Sequence, residues 1–224
     1  IAVSTYARKV LTFGMEKKLK LKVPVVYHGV NTEFQPLNYI KRQEFLLSVS
    51  DIYIQKNIHT LISAFSLVRE KNPGLKLKLA GKAIDRGYQA EINEAIYSAN
   101  LESAVELIGE QTTKKLVHLY QSCALFIFPS TVETFGNPLV EAMACGTPIA
   151  SSNTAAMPEI LGDAAIYFDP LDVKDMANTI ISILENENER QRLGALALER
   201  AKLFSWQKTA SQTASIIKSV ASSG

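Results

Sequence analysis

The sequence predicts an α/β fold, a mostly parallel sheet covered by helices on both faces. Three observations carry that expectation. Short runs rich in branched and aromatic residues recur from residue 45 onward. Longer segments with helical spacing lie between them, so strand–helix–strand order repeats. Apolar residues make up 47% of 224 and charged residues 21%, enough to build a sizeable core.

The first 44 residues are the least regular. Ile1–Ser4 reads as a strand end, Thr5–Phe13 as a short helix and Lys22–Tyr27 as a strand followed by the turn His28-Gly29. The stretch Asn31–Gln43 reads as a linker. Strands are then expected at Phe45–Val49, Leu75–Ala80, Val105–Ile108, Leu125–Pro129, Pro148–Ser151 and Ala164–Phe168. In Asn57–Arg69 the apolar set Ile58, Leu61, Ile62, Phe65 and Val68 follows the i, i+3, i+4, i+7 pattern of one helix face. Further helices are expected at Gln89–Ala99, Lys114–Ser122, Pro138–Cys145, Val173–Leu184, Glu187–Lys202 and Trp206–Val220, the last capped by Ser205. Sheets of this kind hold ligands at the carboxyl ends of their strands. The chemistry is therefore sought just after each strand.

Composition narrows the function. Twenty-four basic against 22 acidic side chains give a net charge of +2, no footprint for nucleic-acid binding. The longest uncharged stretches, Leu116–Val132 and Ala142–Pro158, contain polar residues and Pro and do not read as membrane spans. No charged-then-apolar leader opens the chain, and residue 1 is Ile, which reads as a fragment or a processed product. Cys123 and Cys145 sit among small and apolar residues and read as buried, inert thiols in a reducing cytoplasm. The run Lys17, Lys18, Lys20 and Lys22 reads as a solvated edge, with a patch facing anionic lipid or phosphate as the sharper reading.

Several chemistries lack their motifs. His28, His59 and His118 have no metal-ligand spacing, and no metal site is expected. There is no G-x-S-x-G elbow, no P-loop, no Asp-x-Asp and no G-x-G-x-x-G after the first strand.

Residues 129–148, PSTVETFGNPLVEAMACGTP, follow the most apolar strand. Asn137 is expected to cap a helix, with Pro138 at its first position. The amides of Leu139 and Val140 would then be unpaired donors at a positive helix end, an anion site suited to phosphate. Gly136 would let a ligand approach the backbone. Glu133 precedes this helix, Glu141 lies in its expected first turn, and a carboxylate accepts hydroxyl hydrogen bonds well. Phosphate in the middle with hydroxyl-rich groups on both sides describes a sugar nucleotide.

This segment resembles the E-x7-E signature of the retaining family-4 glycosyltransferases of the GT-B fold. VVYHGVN (25–31), QKNIHTLISAF (55–65), LKLAG (77–81), ELIGEQT (106–112), LYQSCALFIFPS (119–130), GTPIASSNTAAMPEIL (146–161), AAIYFDP (164–170) and FSW (204–206) fall in that family's order. The resemblance covers residues 22–215. It implies the C-terminal, donor-binding, Rossmann-like domain of a two-domain enzyme. Residues 1–21 would be a remnant of the N-terminal domain, 22–204 the nucleotide-sugar domain and 205–224 the crossover helix.

The resemblance also implies roles. Glu141 would hold the ribose hydroxyls, and Glu133 would face the donor sugar. Amides of Phe135, Gly136 and Asn137 would line that sugar, and those of Leu139 and Val140 the diphosphate. Lys56 would neutralise the leaving diphosphate. Gly81 and Lys82 would border the donor, and Ile108, Gly109 and Gln111 the base. The implied reaction is retaining transfer of a glycosyl group from a nucleotide diphosphate sugar to an acceptor hydroxyl, without a metal or other cofactor. The acceptor would be a cell-envelope polysaccharide, lipopolysaccharide or lipid-linked glycan, reached through a missing N-terminal domain. The enzyme would be cytoplasmic, with peripheral contact at the inner face of the membrane. One departure stands out: where many members carry an Arg, five residues before the lysine or immediately before it, this chain has Asp51 and Gln55. The alternative is a non-catalytic nucleotide-sugar binding or scaffold module of the same fold.

Overall fold

The computed structural model describes residues 1–17, 22–37 and 42–222. Lys18 and Lys20 of the basic run, and residues 38–41 of the expected linker, lie outside them.

The chain builds one six-stranded parallel sheet from β1 (Gln43–Val49), β2 (Lys76–Ala80), β3 (Val105–Gly109), β4 (Cys123–Phe128), β5 (Ile149–Ser152) and β6 (Ile166–Phe168). The strand order is β3-β2-β1-β4-β5-β6. β1 pairs with β2 through Phe45–Lys76 to Val49–Ala80, and with β4 through Leu46–Leu125 and Leu47–Phe126. Alternate residues of each strand feed opposite faces. Leu46, Leu77, Leu79, Leu125 and Ile127 pack beneath α2 (Ile58–Lys71), α3 (Arg86–Ser98) and α7 (Val173–Leu184). Phe45, Leu47, Val49, Phe126 and Phe128 pack against α5 (Asn137–Ala144) and α6 (Met157–Leu161). Tyr120, on α4 (Thr113–Ser122), and Ala197, on α8 (Glu187–Ala201), join that second face. The fold is the α/β, Rossmann-like parallel sheet with helices on both faces that the alternation predicts.

One expectation is corrected. Lys22–Tyr27 is not a sheet strand; it contributes a single parallel bridge, Val25 to Ala2. Val26 alone of the run is buried, and its other residues are partly or fully exposed, so it offers no apolar face to a sheet. α6, five residues long, is too short to show a helical period in the sequence.

The two ends of the chain dock by polar contacts. α1 (Thr5–Leu11) is capped by Ser4, whose Oγ accepts from Ala7 N at 2.9 Å and donates to Thr134 O at 2.5 Å. Glu159 accepts from Thr5 N at 2.7 Å and Tyr6 N at 3.0 Å, placing a carboxylate at the positive end of α1. α9 (Trp206–Ala221) has no buried residue, and Ser205 caps it as expected, accepting from Lys208 N at 3.2 Å. Its first turn is tied down where Thr209 Oγ1 donates to Tyr27 O at 2.7 Å.

The strand order reverses between β1 and β4. The segments that leave these strands diverge to opposite faces and leave a crevice at their carboxyl ends, the place where open α/β sheets bind ligands. Those segments carry Lys56 and Glu133.

Candidate functional site

After β1 the chain makes a short 3-10 turn, Ile54–Lys56, and enters α2 through Asn57, whose φ of 56° lies in the left-handed region. Asparagine tolerates that conformation better than most side chains. Its buried side chain is fully used: Nδ2 donates to Pro129 O at 3.1 Å and Pro170 O at 2.7 Å, and Oδ1 accepts from Thr60 Oγ1 at 2.6 Å. Thr131 N donates to Gln55 O at 2.9 Å. The segments after β1 and β4 are thereby stitched together.

That stitching brings Lys56 and Glu133 into a direct, hydrogen-bonded ion pair, their side chains only 12% and 15% exposed. Lys56 Nζ also lies 5.0 Å from the centre of the Tyr53 ring. Burial pulls the Lys56 ammonium towards losing its proton, but the bond to Glu133 outweighs burial and holds its pKa above the ordinary value.

The start of α5 differs from expectation by one residue. Gly136, at φ 86°, is the N-cap; Asn137 is the first helical residue and makes no cap bond. A Cβ on Gly136 would stand 2.9 Å from Leu139 Cδ1, so packing as well as backbone conformation requires glycine here. Glu141 is consequently the fifth residue of the helix, past its first turn. Leu139 N is not an unpaired donor either: it bonds to Gly136 O at 3.0 Å. Leu139 and Val140 bury their side chains in the core. Among the described residues, the amides of Phe135 and Gly136 donate to no protein acceptor. The free amides at the start of α5 therefore lie earlier in the chain than the sequence suggests.

Glu141 faces a cleft of about 270 Å³, shared with Asp51, Gly81, Glu110, Gln111 and Asn137. Tyr120 donates its hydroxyl to Glu141 Oε2 at 3.0 Å. Burial raises the Glu141 pKa above the usual carboxylate value, and the Tyr120 hydroxyl partly opposes that rise. Gly81 has φ 145°, and a Cβ there would stand 1.9 Å from Ser50 O, so the ends of β1 and β2 approach closely at the cleft floor. Gln111 Nε2 donates to Ile108 O, which fixes the segment after β3. Lys82 is exposed: its Nζ pairs with Glu110 at 3.0 Å and its amide donates to Asp51 Oδ1 at 3.0 Å. The structure thus gathers Glu141, Asn137, Gly81 and Gln111 around one cleft, and pairs Lys56 with Glu133 outside that lining.

A larger groove of about 610 Å³ lies at the opposite end of the sheet, beside Arg42, Glu44, Glu187 and Arg190. Its buried guanidinium is already spent: Arg42 donates to the carbonyls of Gln121, Cys123 and Gly146 at 3.2, 3.0 and 2.7 Å. The smaller cleft lies at the carboxyl ends of the strands, where open α/β sheets bind ligands. Among the described residues, no three His, Cys, Asp or Glu side chains are grouped to share a metal ion, and no helix is long and apolar enough to cross a membrane.

Residues 30–200 match the family described as glycosyl transferases group 1. This chain belongs to that family. The chain is 32% identical over 178 residues to O-antigen chain mannosyltransferase B of Escherichia coli, covering 79% of this chain and 46% of that protein. It is 30% identical over 197 residues to the MMP alpha-(1->4)-mannosyltransferase of Mycolicibacterium hassiacum, covering 86% and 47%. The chain spans about half the length of these curated relatives. Among solved structures, sucrose-phosphate synthase from Thermosynechococcus elongatus superposes with a TM-score of 0.86 at 24% identity, over 100% of this chain and 58% of that one. Anabaena HepE, solved with UDP and glucose, gives 0.86 at 22% identity over 97% and 62%. At these identities the likeness establishes the GT-B fold.

Sequence reasoning missed three residues at or near the candidate site. Tyr120 looks like one more core aromatic on an amphipathic helix, and only the packing of α4 against α5 reveals its partner. Asn57 is an ordinary helix-start residue by type; its left-handed φ is invisible in sequence. His28 donates from Nδ1 to Asn137 Oδ1 at 3.1 Å and stacks on Trp206 at 5.9 Å, contacts across 109 and 178 residues of chain. Cys123 and Cys145 are free and buried as expected, each pushed up to about 12 by burial.

Proposed function

We propose that this chain is the donor-binding half of a retaining glycosyltransferase, taking a nucleotide diphosphate sugar at the carboxyl ends of β1 and β4. The observation that carries the reading is the pairing of Lys56 with Glu133 beside the unpartnered amides at the start of α5, with Glu141 one helical turn further on. Glu141 accepts the ribose hydroxyls. The amides of Phe135, Gly136 and Asn137 meet the sugar and the diphosphate. Lys56 turns from Glu133 towards the diphosphate when donor binds, and loss of such an electrostatic stabiliser typically costs about 10²–10³ in rate. Glu133, released, accepts from a hydroxyl of the transferred sugar on its reacting face. Gly81, Lys82, Ile108 and Gln111 border the nucleoside.

The reaction balances without a further reactant. The acceptor oxygen forms the new bond to the anomeric carbon, the bond to the diphosphate breaks, and the acceptor proton leaves with the nucleoside diphosphate. In this reading residues 1–21 belong to a preceding acceptor domain, 22–204 form the donor domain, and 205–224 cross back. The chain alone binds donor and transfers little. The acceptor is a cell-envelope or lipid-linked glycan met at the inner face of the membrane, by analogy with the O-antigen relative.

Calorimetry with UDP-, GDP- and ADP-sugars tests the reading. One nucleotide class binds in the micromolar-to-millimolar range; Glu141→Ala abolishes that binding and Lys56→Ala weakens it. Unchanged affinity in the double variant contradicts the assignment.

A further inference from the structure

Tyr120 is fully buried in the last turn of α4. Its ring is wedged edge-on between Phe34 at 6.0 Å and Phe126 at 5.3 Å. Its carbonyl accepts from Thr147 Oγ1 at 2.7 Å. Neither ring nor backbone has room to swing, so the hydroxyl is a fixed point. That point lies 3.0 Å from Glu141 Oε2. Glu141 Oε1 has no protein partner among the described residues.

We propose that Tyr120 is a positioning residue for donor binding: its hydroxyl holds Oε2 of Glu141, so that Oε1 stands ready to accept a ribose hydroxyl. The inference rests on the reading of Glu141 given above and assigns the group that makes that reading work. A rotating carboxylate would have to be ordered at each binding event; one already held by a rigid donor binds without that cost. Its neighbours do not compete for the role: Cys145 at the end of α5 is a buried neutral thiol, Asp51 and Glu110 on the same cleft are acids, and Lys82 is paired with Glu110. Tyr120 thus also favours the ionised carboxylate, against the burial that disfavours it.

The test compares the wild-type chain, Tyr120→Phe, Glu141→Gln and the double variant. The probes are whichever nucleotide diphosphate sugar binds best and its 2′,3′-dideoxy form. The diphosphate of such a ligand is a diester that takes up no proton near neutrality, so any pH dependence belongs to the protein. Tyr120→Phe is expected to lower affinity for the ribose ligand about tenfold, a typical cost of a lost hydrogen bond to a charged group. Affinity for the dideoxy form stays unchanged. The loss deepens as the pH falls, because Glu141 without its donor takes a proton more readily. In the Glu141→Gln background Tyr120→Phe has no further effect. Equal losses for both ligands reduce Tyr120 to packing and overturn the inference, as does an unchanged ribose preference. If Glu141→Gln itself leaves that preference intact, or no member of the nucleotide-sugar panel binds, the reading of Glu141 fails and takes this inference with it.

Discussion

Lys56 and Glu133 show what residue types alone conceal. Each is an unremarkable surface residue by composition, and the sequence placed both after strands. Their pairing appears only once Asn57 bolts one segment to the other. Breaking a sheltered pair from one side strands a charge, whereas removing both does not. Lys56→Met is therefore expected to cost about 2 kcal/mol, and Lys56→Met with Glu133→Gln clearly less than the sum of the single changes. Denaturant melts of the four proteins measure this; simple additivity would show that the pair is not coupled. Glu141 presents the opposite case. Burial raises its pKa, so the ionised form costs stability at neutral pH, and that cost is relieved as pH falls through the raised folded value. Glu141→Gln should stabilise the chain by about 1 kcal/mol at neutral pH while weakening donor binding, a trade typical of groups kept for function. A melt showing Glu141→Gln less stable than wild type would count against this ledger.

At the scale of elements, strands and long helices were legible because their periods are long enough to read. What escaped were features set by neighbours. α6 spans a single turn. The start of α5 moved by one residue because Gly136 can adopt a positive φ and Asn137 is engaged by His28. Gly136→Ala should cost about 1–3 kcal/mol, since both the left-handed backbone and the approach of Leu139 resist a Cβ. The anchoring of α1 is set the same way, by Glu159 on α6. Burial raises the Glu159 pKa, but the amides of Thr5 and Tyr6 and the Tyr27 hydroxyl overcome it, leaving it below the ordinary carboxylate value. A depressed folded pKa gives stability that is present above the unfolded value and lost as pH falls through the folded one. Acid should therefore loosen α1 before the sheet. Hydrogen exchange at the Thr5 and Tyr6 amides, corrected for intrinsic rates, is expected to rise about tenfold in acid, and Glu159→Gln to show that level already at neutral pH. Equal protection in both proteins would detach Glu159 from this role.

For the whole molecule, the alternation of strands and helices predicts the layers, and the carboxyl-end rule locates the chemistry, but neither gives the strand order. That order decides where the crevice opens. By placing β1 beside β4 it brings together two segments separated by more than seventy residues. Cavity size alone would point to the groove beside Arg42, at the amino ends of the strands. The most direct measurement is a crystal structure of the chain with its preferred nucleotide diphosphate sugar. The account predicts ribose hydroxyls on Glu141, the diphosphate against the start of α5 and Lys56, and the sugar beside Glu133. A nucleotide seated in the Arg42 groove, or one that leaves Glu141 untouched, would contradict it.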